Sequence, residues 1–244
     1  MKALILAAGY ATRLFPLTKD FPKPLLEVGG QTILDHLMDQ LETVQNLSQV
    51  HVVTNSRFTR HFNDWAQAYD GPLPLTIIDD GTSSNEDRLG AVGDIRFAIE
   101  ASNLADELLV CAADNILQFP LAKFVAAFKA NPVTYICVRS IEDIEDRKRR
   151  GIVLLDADNQ VLEFEEKPDN PKSNWAVPPF YIYPAKTLKR VQEFLDGGGT
   201  SDAPGHFVEW LCQKDPVFAY KIEGEILDIG NHDSLAEARS AFGE

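Results

Sequence analysis

Short, wholly apolar segments alternate with amphipathic segments through residue 138, and this alternation restricts the fold more than any other feature of the sequence. Ala3–Ala7 reads ALILA and Leu108–Ala112 reads LLVCA, and such runs are typical of strands buried on both faces of a sheet. From Ile33 to Val44 apolar residues recur with a helical period, after a Thr32–Asp35 pair that is typical of a helix N-terminus. Strands that alternate with helices predict a sheet with helices on both faces.

The same patterns extend along the chain. They predict further strands at Val50–Val53, Leu75–Ile78 and Val133–Val138, and further helices at Phe58–Ala68, Leu89–Glu100 and Pro120–Ala130. After about Gly151 the predicted strands are short, at Ile152–Leu155, Val161–Glu165 and Phe180–Tyr183, and helices are predicted near Ala185–Leu195, His206–Gln213 and His232–Phe242. We therefore predict a three-layer αβα fold of the α/β class, with a Rossmann-like sheet that is mixed and mainly parallel. No linker or repeat interrupts the pattern, so a single domain is expected to cover residues 1–244.

The net charge of −14 disfavours nonspecific binding to nucleic acids. No apolar run reaches the length that a membrane span requires, so no membrane partner is expected. The N-terminal MKALILAAG leads directly into the first predicted strand and its loop, unlike a signal peptide. Three cysteines without metal-type spacing fit a reducing compartment, and we expect a cytoplasmic protein.

The segment Leu6–Thr18, LAAGYATRLFPLT, directly follows the first predicted strand. Its small residues would let the backbone approach a phosphate closely, and Arg13 would add a fork of hydrogen-bond donors. Lys23 follows between two prolines, which stiffen the backbone around its charge. The patterns GxxxxGK[ST] and GxGxxG are both missing, which disfavours a P-loop enzyme and a dinucleotide-dependent dehydrogenase.

Several short motifs in order together resemble the sugar-1-phosphate nucleotidyltransferases, which include thymidylyl-, uridylyl- and guanylyltransferases. They are LAAGYATRLFPLT, FPKPLLEVGG at Phe21–Gly30, Ala113-Asp114-Asn115, FEEKP at Phe164–Pro168, SNWAV at Ser173–Val177 and LDIG at Leu227–Gly230. The resemblance runs from residue 1 to about residue 240, and motifs that occur together in order are more specific than any one of them.

The resemblance implies a role for each matching residue. Arg13 and Lys23 would be catalytic, and Asp114 and Asp228 would hold Mg²⁺. The acceptor would be bound by Gly151, Glu166 and Lys167. The nucleotide would be bound by Leu6, Ala8, Gly9, Ala11, Thr12, Arg13, Asn85, Arg88 and Gly90. The nucleotide-binding part would then cover about residues 1–150, and the acceptor-binding part about residues 151–244.

The implied partners are a nucleoside triphosphate and a sugar 1-phosphate, and a homo-oligomer is left open. Elementary chemistry agrees with these roles, because a phosphate monoester is already an anionic nucleophile and two anions must be neutralised before they react. Magnesium prefers hard oxygen ligands and commonly takes one or two carboxylates together with substrate phosphates.

The sequence departs from the family pattern at three places, and the second and third of them leave the substrates open. Ala11 replaces a glycine of the loop, and Pro178-Pro179 stands where a glycine is expected before a strand. The expected base-reading segment, Asp79–Asp94, lacks the glutamine-containing stretch that many members carry, although Asn85, Glu86 and Arg88 offer polar groups.

A cytidylyltransferase that acts on phosphocholine or another alcohol phosphate is an alternative function. A catalytically inactive, nucleotide-binding regulatory homologue is another. It is disfavoured because such proteins typically lack the loop arginine or a metal-binding aspartate, and both are present here.

Overall fold

The computed structural model describes all 244 residues and contains fourteen strands and eight α-helices. The strands are β1 Lys2–Leu6, β2 Glu27–Val28, β3 Gln31–Thr32, β4 Val50–Thr54, β5 Leu75–Asp79, β6 Leu108–Ala112, β7 Asn115–Leu117, β8 Thr134–Ser140, β9 Gly151–Leu155, β10 Val161–Glu166, β11 Trp175–Val177, β12 Phe180–Tyr183, β13 Val217–Lys221 and β14 Ile226–Asp228. The helices are α1 Ile33–Glu42, α2 Thr59–Ala68, α3 Ala91–Ala101, α4 Leu121–Ala130, α5 Ile144–Arg147, α6 Leu188–Asp196, α7 Pro204–Leu211 and α8 His232–Ala241. None of these helices is both long enough and apolar enough to cross a membrane.

The chain divides into two compact units that interleave along the sequence. Unit 1 comprises Met1–Arg88, Ala112–Ala122 and Gly224–Glu244, and unit 2 comprises Leu89–Cys111 and Lys123–Glu223. This division does not follow the functional halves predicted to meet near residue 150. Both the single-domain organisation and those functional halves stay predictions.

Unit 1 is built on parallel strands. The wholly buried β4 pairs in parallel with β1 and with β5. The predicted capping pair is confirmed: the Asp35 amide donates to Thr32 Oγ1, and the Thr32 amide donates to Asp35 Oδ2. The antiparallel pair β7–β14 belongs to the same unit. A core cluster joins residues from distant parts of this unit: Leu14, Val28, Ile33, Ile116, Ile229, Leu235 and Ala238.

Unit 2 is mostly antiparallel. Strand β12 pairs antiparallel with β6 and β8, β11 pairs antiparallel with β8 and β9, and β10 pairs antiparallel with β9. Only β13 runs parallel to its neighbour, β8. Helix α6 buries Leu188, Val191 and Phe194, and the Phe194 ring packs against the rings of Phe207 and Trp210 of α7. An amphipathic helix gains its stability from such tertiary packing more than from propensity.

The predicted α/β class with a mixed sheet flanked by helices is confirmed. Each predicted element has a counterpart, although boundaries move by a few residues; for example, α3 begins at Ala91 because Gly90 forms its N-cap. Cys111 and Cys137 are buried, whereas Cys212 is only half-buried, and all three are free thiols. Burial raises the pKa of Cys111 and of Cys137 well above the usual thiol value, so neither is a reactive thiolate.

Candidate functional site

The small-residue loop leaves β1 at Leu6 and tightens into a 3-10 turn at Thr12–Leu14. Ala11 adopts a left-handed backbone with φ 46° and ψ 43°, and its carbonyl accepts hydrogen bonds from the Leu14 amide at 3.0 Å and from Thr18 Oγ1 at 2.8 Å. Glycine adopts this conformation without steric cost, which explains why a glycine is expected here. Leu14 is fully buried, and the neighbouring Arg13 is exposed.

The guanidinium of Arg13 lies over the backbone of Gly230, which follows the second predicted metal ligand by two residues. A Cβ atom on Gly230 would stand 3.6 Å from Arg13 Nη2. The end of β14 and the loop therefore meet within unit 1, so the predicted phosphate-binding cation lies near the predicted magnesium site.

Two short strands bring the predicted metal ligands together. Asp114 lies between β6 and β7, and β14 pairs antiparallel with β7 so that Asp228 stands opposite Asn115. The Ile229 amide donates to the Asp114 carbonyl at 3.0 Å. Residues far apart in the sequence thus place two carboxylates at one end of a strand pair.

Lys23 is fixed against one of these carboxylates. Its Nζ donates to Asp114 Oδ2 at 2.6 Å and to the Ile229 carbonyl at 2.9 Å, and its side chain is only 13% exposed. Asn115 Nδ2 donates to Asp114 Oδ1 at 2.6 Å. Both carboxylate oxygens of Asp114 are therefore held in place, and Lys23 adds positive charge at the same point.

The donor set of this cluster fits magnesium. Asp114 and Asp228 supply hard carboxylate oxygens, and no group of three or more His, Cys, Asp and Glu side chains is arranged so that it could hold a metal ion. Mg²⁺ is commonly bound through one or two carboxylates, with water and substrate phosphates completing its octahedral shell, whereas structural zinc needs four protein ligands. A two-carboxylate site therefore suits magnesium and excludes a structural zinc site.

Unit 2 gathers the three predicted acceptor residues. Gly151 and Glu166 are partners in the β9–β10 register, and Lys167 follows directly with Nζ 3.8 Å from Glu166 Oε1. The Glu166 side chain is only 10% exposed, and burial raises its pKa, while the charges of Lys167 and His206 oppose that rise. A buried carboxylate can accept hydrogen bonds from hydroxyl groups, and the exposed lysine beside it can neutralise an anion.

Glycine is required where the Glu166 carboxylate packs. A Cβ atom on Gly205, in the first turn of α7, would stand 1.8 Å from Glu166 Oε2. A Cβ atom on Gly151 would stand 2.6 Å from Phe164 Cζ and 3.2 Å from Glu166 Oε2. The shape of this cluster therefore depends on two glycines.

The other residues of interest in unit 2 have local backbone roles. Lys167 is left-handed at φ 50°, and its amide donates to the Arg150 carbonyl at 3.1 Å. The Pro178 carbonyl accepts from the Phe180 amide at 2.7 Å at the start of β12. Gly90 has φ 79°, and a Cβ atom there would stand 2.5 Å from the Ser201 carbonyl oxygen, so only glycine fits.

The predicted base-reading residues in unit 1 lie on a tight polar loop. Arg88 Nη1 donates to the Asn85 carbonyl at 2.8 Å. The Asp87 carboxylate accepts from the backbone amides of Ser84 and Ser83, and these hydrogen bonds lower its pKa. The loop is therefore ordered by its own side chains.

Three features of these clusters were not predicted from the sequence: Asn115 as a donor to Asp114, the Ile229 carbonyl as an acceptor for Lys23, and Gly205 beneath Glu166. Asn115 and Ile229 both lie inside the quoted motifs, so the residues next to the two aspartates carried a usable signal. Nothing in the sequence around Gly205 indicates its proximity to Glu166.

A buried first strand, a loop of small residues after it and a mixed sheet flanked by helices define an α/β protein of the Rossmann-like class. The family model described as nucleotidyl transferase matches residues 2–244. The chain therefore belongs to the nucleotidyl transferase family, as its motifs predicted.

Curated relatives support the same family. The chain is 24% identical over 240 residues to the bifunctional protein GlmU of Methanocaldococcus jannaschii, an alignment that covers 98% of this chain and 53% of that protein. It is 28% identical over 268 residues to a glucose-1-phosphate adenylyltransferase of Geobacter metallireducens, which covers 97% of this chain and 64% of the relative. The chain thus spans about half to two thirds of the length of these relatives.

Solved structures share the fold. A glucose-1-phosphate thymidylyltransferase from Bacillus anthracis superposes with a TM-score of 0.81 at 22% identity, covering 99% of this chain and 95% of that chain. A UDP-glucose pyrophosphorylase in complex with UDP-glucose superposes with a TM-score of 0.84 at 18% identity, covering 99% and 97%. At these identities the likeness concerns the fold.

Proposed function

We propose that this protein transfers a nucleotidyl group from a nucleoside triphosphate to a sugar 1-phosphate and releases pyrophosphate. The observation that carries the proposal is the cluster in which Lys23 Nζ contacts Asp114 Oδ2 at 2.6 Å, with Asp228 on the paired strand and Arg13 over Gly230. Family membership supports it, and the relatives named as sugar-1-phosphate nucleotidyltransferases agree with it.

In unit 1, Arg13 would bind the triphosphate and stabilise the charge that grows as pyrophosphate leaves. Lys23 would hold the Asp114 carboxylate in position and reduce the negative potential near the phosphates. Asp114 and Asp228 would hold Mg²⁺, which supplies charge neutralisation of the triphosphate when bound.

In unit 2, Lys167 would neutralise the phosphate of the acceptor, and Glu166 with the backbone at Gly151 would bind the sugar hydroxyl groups. The burial of Glu166 supports this role, because a desolvated carboxylate forms strong hydrogen bonds with hydroxyl donors. The exposure of Lys167 keeps its ammonium accessible to an anion.

The chemistry requires no protein nucleophile. A phosphate oxygen of the acceptor attacks the α-phosphorus, a new P–O bond forms in line, and the bond to pyrophosphate breaks. Proton abstraction is unnecessary since the attacking oxygen is anionic at neutral pH. The residues therefore act by orientation and by electrostatic stabilisation.

Localisation is proposed on separate grounds. Free thiols at all three cysteines support a reducing compartment, and we propose the cytoplasm.

A substrate matrix tests the function. Five nucleoside triphosphates are combined with several sugar 1-phosphates and with phosphocholine, with Mg²⁺ present, and pyrophosphate release is measured. At least one sugar 1-phosphate should support turnover. Turnover on phosphocholine alone would favour the alternative cytidylyltransferase function, and binding of triphosphates without turnover on any acceptor would contradict an enzymatic role.

Two variants test the proposed metal ligands. Asp114→Asn and Asp228→Asn should each lower turnover on the order of a hundredfold or more and leave the melting temperature nearly unchanged. Asp64→Asn removes the same charge from the exposed surface of α2 and is the matched control. Wild-type turnover of either variant at limiting Mg²⁺ would rule out its ligand role.

A further inference from the structure

We propose that Asp80 selects the nucleobase, and that it favours bases with an exocyclic amino group (adenine, cytosine or guanine) over uracil and thymine. This inference rests on the proposed function, because it assumes that a nucleoside triphosphate binds at the loop after β1. It names the class of base that this chain's own residues can recognise.

Asp80 follows β5 directly, beside the carboxyl end of β4. Its amide donates to the Thr54 carbonyl at 2.8 Å, and the next residue of that strand end, Asn55, donates through Nδ2 to the Ala8 carbonyl at 2.9 Å. In sheets of parallel strands, ligands bind beyond these carboxyl ends. Asp80 therefore lies at the ligand-binding edge of unit 1, with β4 between its own strand and the strand that leads into the loop.

One oxygen of Asp80 is fully engaged. Asp80 Oδ1 accepts from the Thr82 amide at 2.7 Å and from Thr82 Oγ1 at 2.8 Å. Thr82 Oγ1 also lies 3.2 Å from the hydroxyl of Tyr10, and the Thr82 carbonyl accepts from the Ser56 amide at 2.8 Å. These contacts fasten Asp80 to the loop through Thr82 and Tyr10.

The charges of this region act on the loop as well. Burial raises the pKa of Tyr10, and the carboxylates of Asp87 and Asp80 add to the rise, while the hydrogen bond with Thr82 and the charge of Arg57 oppose it. Two carboxylates therefore act on the hydroxyl of a loop residue, and this edge of the loop is rich in hydrogen-bond acceptors.

The other oxygen of Asp80 is the unusual one. The residue is only 6% exposed, and Oδ2 is buried without a hydrogen-bond donor from the protein. A buried carboxylate oxygen without a donor is unfavourable, and a ligand that supplies an N–H group removes that cost.

The bases differ in what they can supply. Adenine N6, cytosine N4 and guanine N2 are amino donors, and guanine adds the neighbouring N1–H. Uracil and thymine offer a single N3–H between two carbonyl oxygens, and a carbonyl oxygen placed against Asp80 would be repelled. Asp80 Oδ2 thus distinguishes the bases in two ways: it attracts an amino group and repels a carbonyl oxygen.

Equilibrium binding of ATP, CTP, GTP, UTP and dTTP to the full chain with Mg²⁺ tests the inference without an acceptor. The tightest-binding triphosphate should carry an amino group and bind on the order of tenfold or more tighter than UTP and dTTP. Asp80→Asn keeps an oxygen acceptor for Thr82 and places an amide donor at Oδ2, so it should narrow or reverse that preference. Asp64→Asn removes the same charge from the exposed surface of α2 and should leave the ranking of bases as in the wild type.

Several outcomes would overturn the inference. If the wild-type protein binds UTP or dTTP most tightly, the inference is wrong. This measurement needs no variant, so it decides the question even if Asp80→Asn fails to fold. An equal loss of affinity for all five triphosphates in Asp80→Asn would show a structural role only. Failure to bind any triphosphate contradicts both proposals, whereas binding with a clear base preference but without pyrophosphate release contradicts the proposed function alone.

Discussion

His51 makes the stability of unit 1 depend on pH in a predictable direction. The residue lies in the middle of β4, is 2% exposed, and neither ring nitrogen has a hydrogen-bond partner. Burial lowers its pKa from about 6.5 to about 4, and the charge of Lys2 contributes to the decrease. The folded state therefore holds the imidazole neutral at a pH where the unfolded chain takes up a proton.

The size of the effect follows from this difference in pKa. Because the folded pKa of His51 is depressed, the stabilisation is complete above about pH 6.5 and is lost as the pH falls towards 4. Over that whole interval the free energy of unfolding should fall by about 3 kcal/mol, of which about 2 kcal/mol is lost by pH 5. This is a large fraction of the stability of an ordinary domain.

Replacing His51 with valine isolates this contribution. Urea unfolding of the wild type and of His51→Val, measured between pH 4.5 and 7.5, should give curves that converge at high pH and diverge at low pH in favour of the variant. At pH 7.5 the variant should be as stable as the wild type or about 1 kcal/mol more stable, since two unpartnered polar atoms leave the core. Lys2→Gln should narrow the divergence slightly. Parallel curves would refute the reasoning, because they would mean that His51 titrates alike in both states.

Three further predictions concern the candidate sites. Arg13→Ala should chiefly lower kcat, and Lys167→Ala should chiefly raise KM for the acceptor; each substitution should cost about 2–4 kcal/mol of transition-state or binding free energy. Steady-state kinetics in which Lys167→Ala raises KM for the triphosphate and leaves KM for the acceptor unchanged would reverse the two assignments. Gly205→Ala should displace the Glu166 carboxylate and raise KM for the acceptor on the order of tenfold or more, with KM for the triphosphate unchanged. An unchanged KM for the acceptor would mean that Glu166 does not bind the sugar. Ala11→Gly should leave the free energy of unfolding unchanged or slightly raise it, because relief of the left-handed backbone offsets the greater freedom of the unfolded chain.

A matched substitution controls the last of these. Ala126 is exposed in the middle of α4, and Ala126→Gly should lower the free energy of unfolding by about 1 kcal/mol. Chemical denaturation of both variants compares the same chemical change in a left-handed and in a helical backbone. Equal losses in the two variants would mean that Ala11 carries no strain that glycine relieves.

Local patterns in the sequence predicted much of the fold. Apolar runs such as Ala3–Ala7 and Leu108–Ala112 identify buried strands because a strand covered on both faces turns no side chain to water, so polar side chains are rare in it. The Thr32–Asp35 pair predicted a helix start that the hydrogen bonds confirm. The motifs also predicted the family, because several short matches in fixed order rarely occur by chance.

Other features depended on pairings between distant segments. Strand β14 has three residues, too few to show a period of two, yet its antiparallel pairing with β7 is what brings Asp228 next to Asp114. The parallel pairing of β13 with β8 and the interleaving of the two units along the chain likewise leave no local trace. Gly205 is required only because the Glu166 carboxylate fills the space where its Cβ would stand.

The sequence by itself therefore determined the class of fold and the family, and it predicted which residues neutralise a phosphate, since these depend on local periodicity and on motifs. The tertiary structure alone decided that Lys23 is fixed against Asp114 and the Ile229 carbonyl, and that Asp80 keeps a buried oxygen without a donor. Such contacts arise when elements far apart in the chain pair and pack. A local sequence pattern does not specify which distant residue will contact a given side chain.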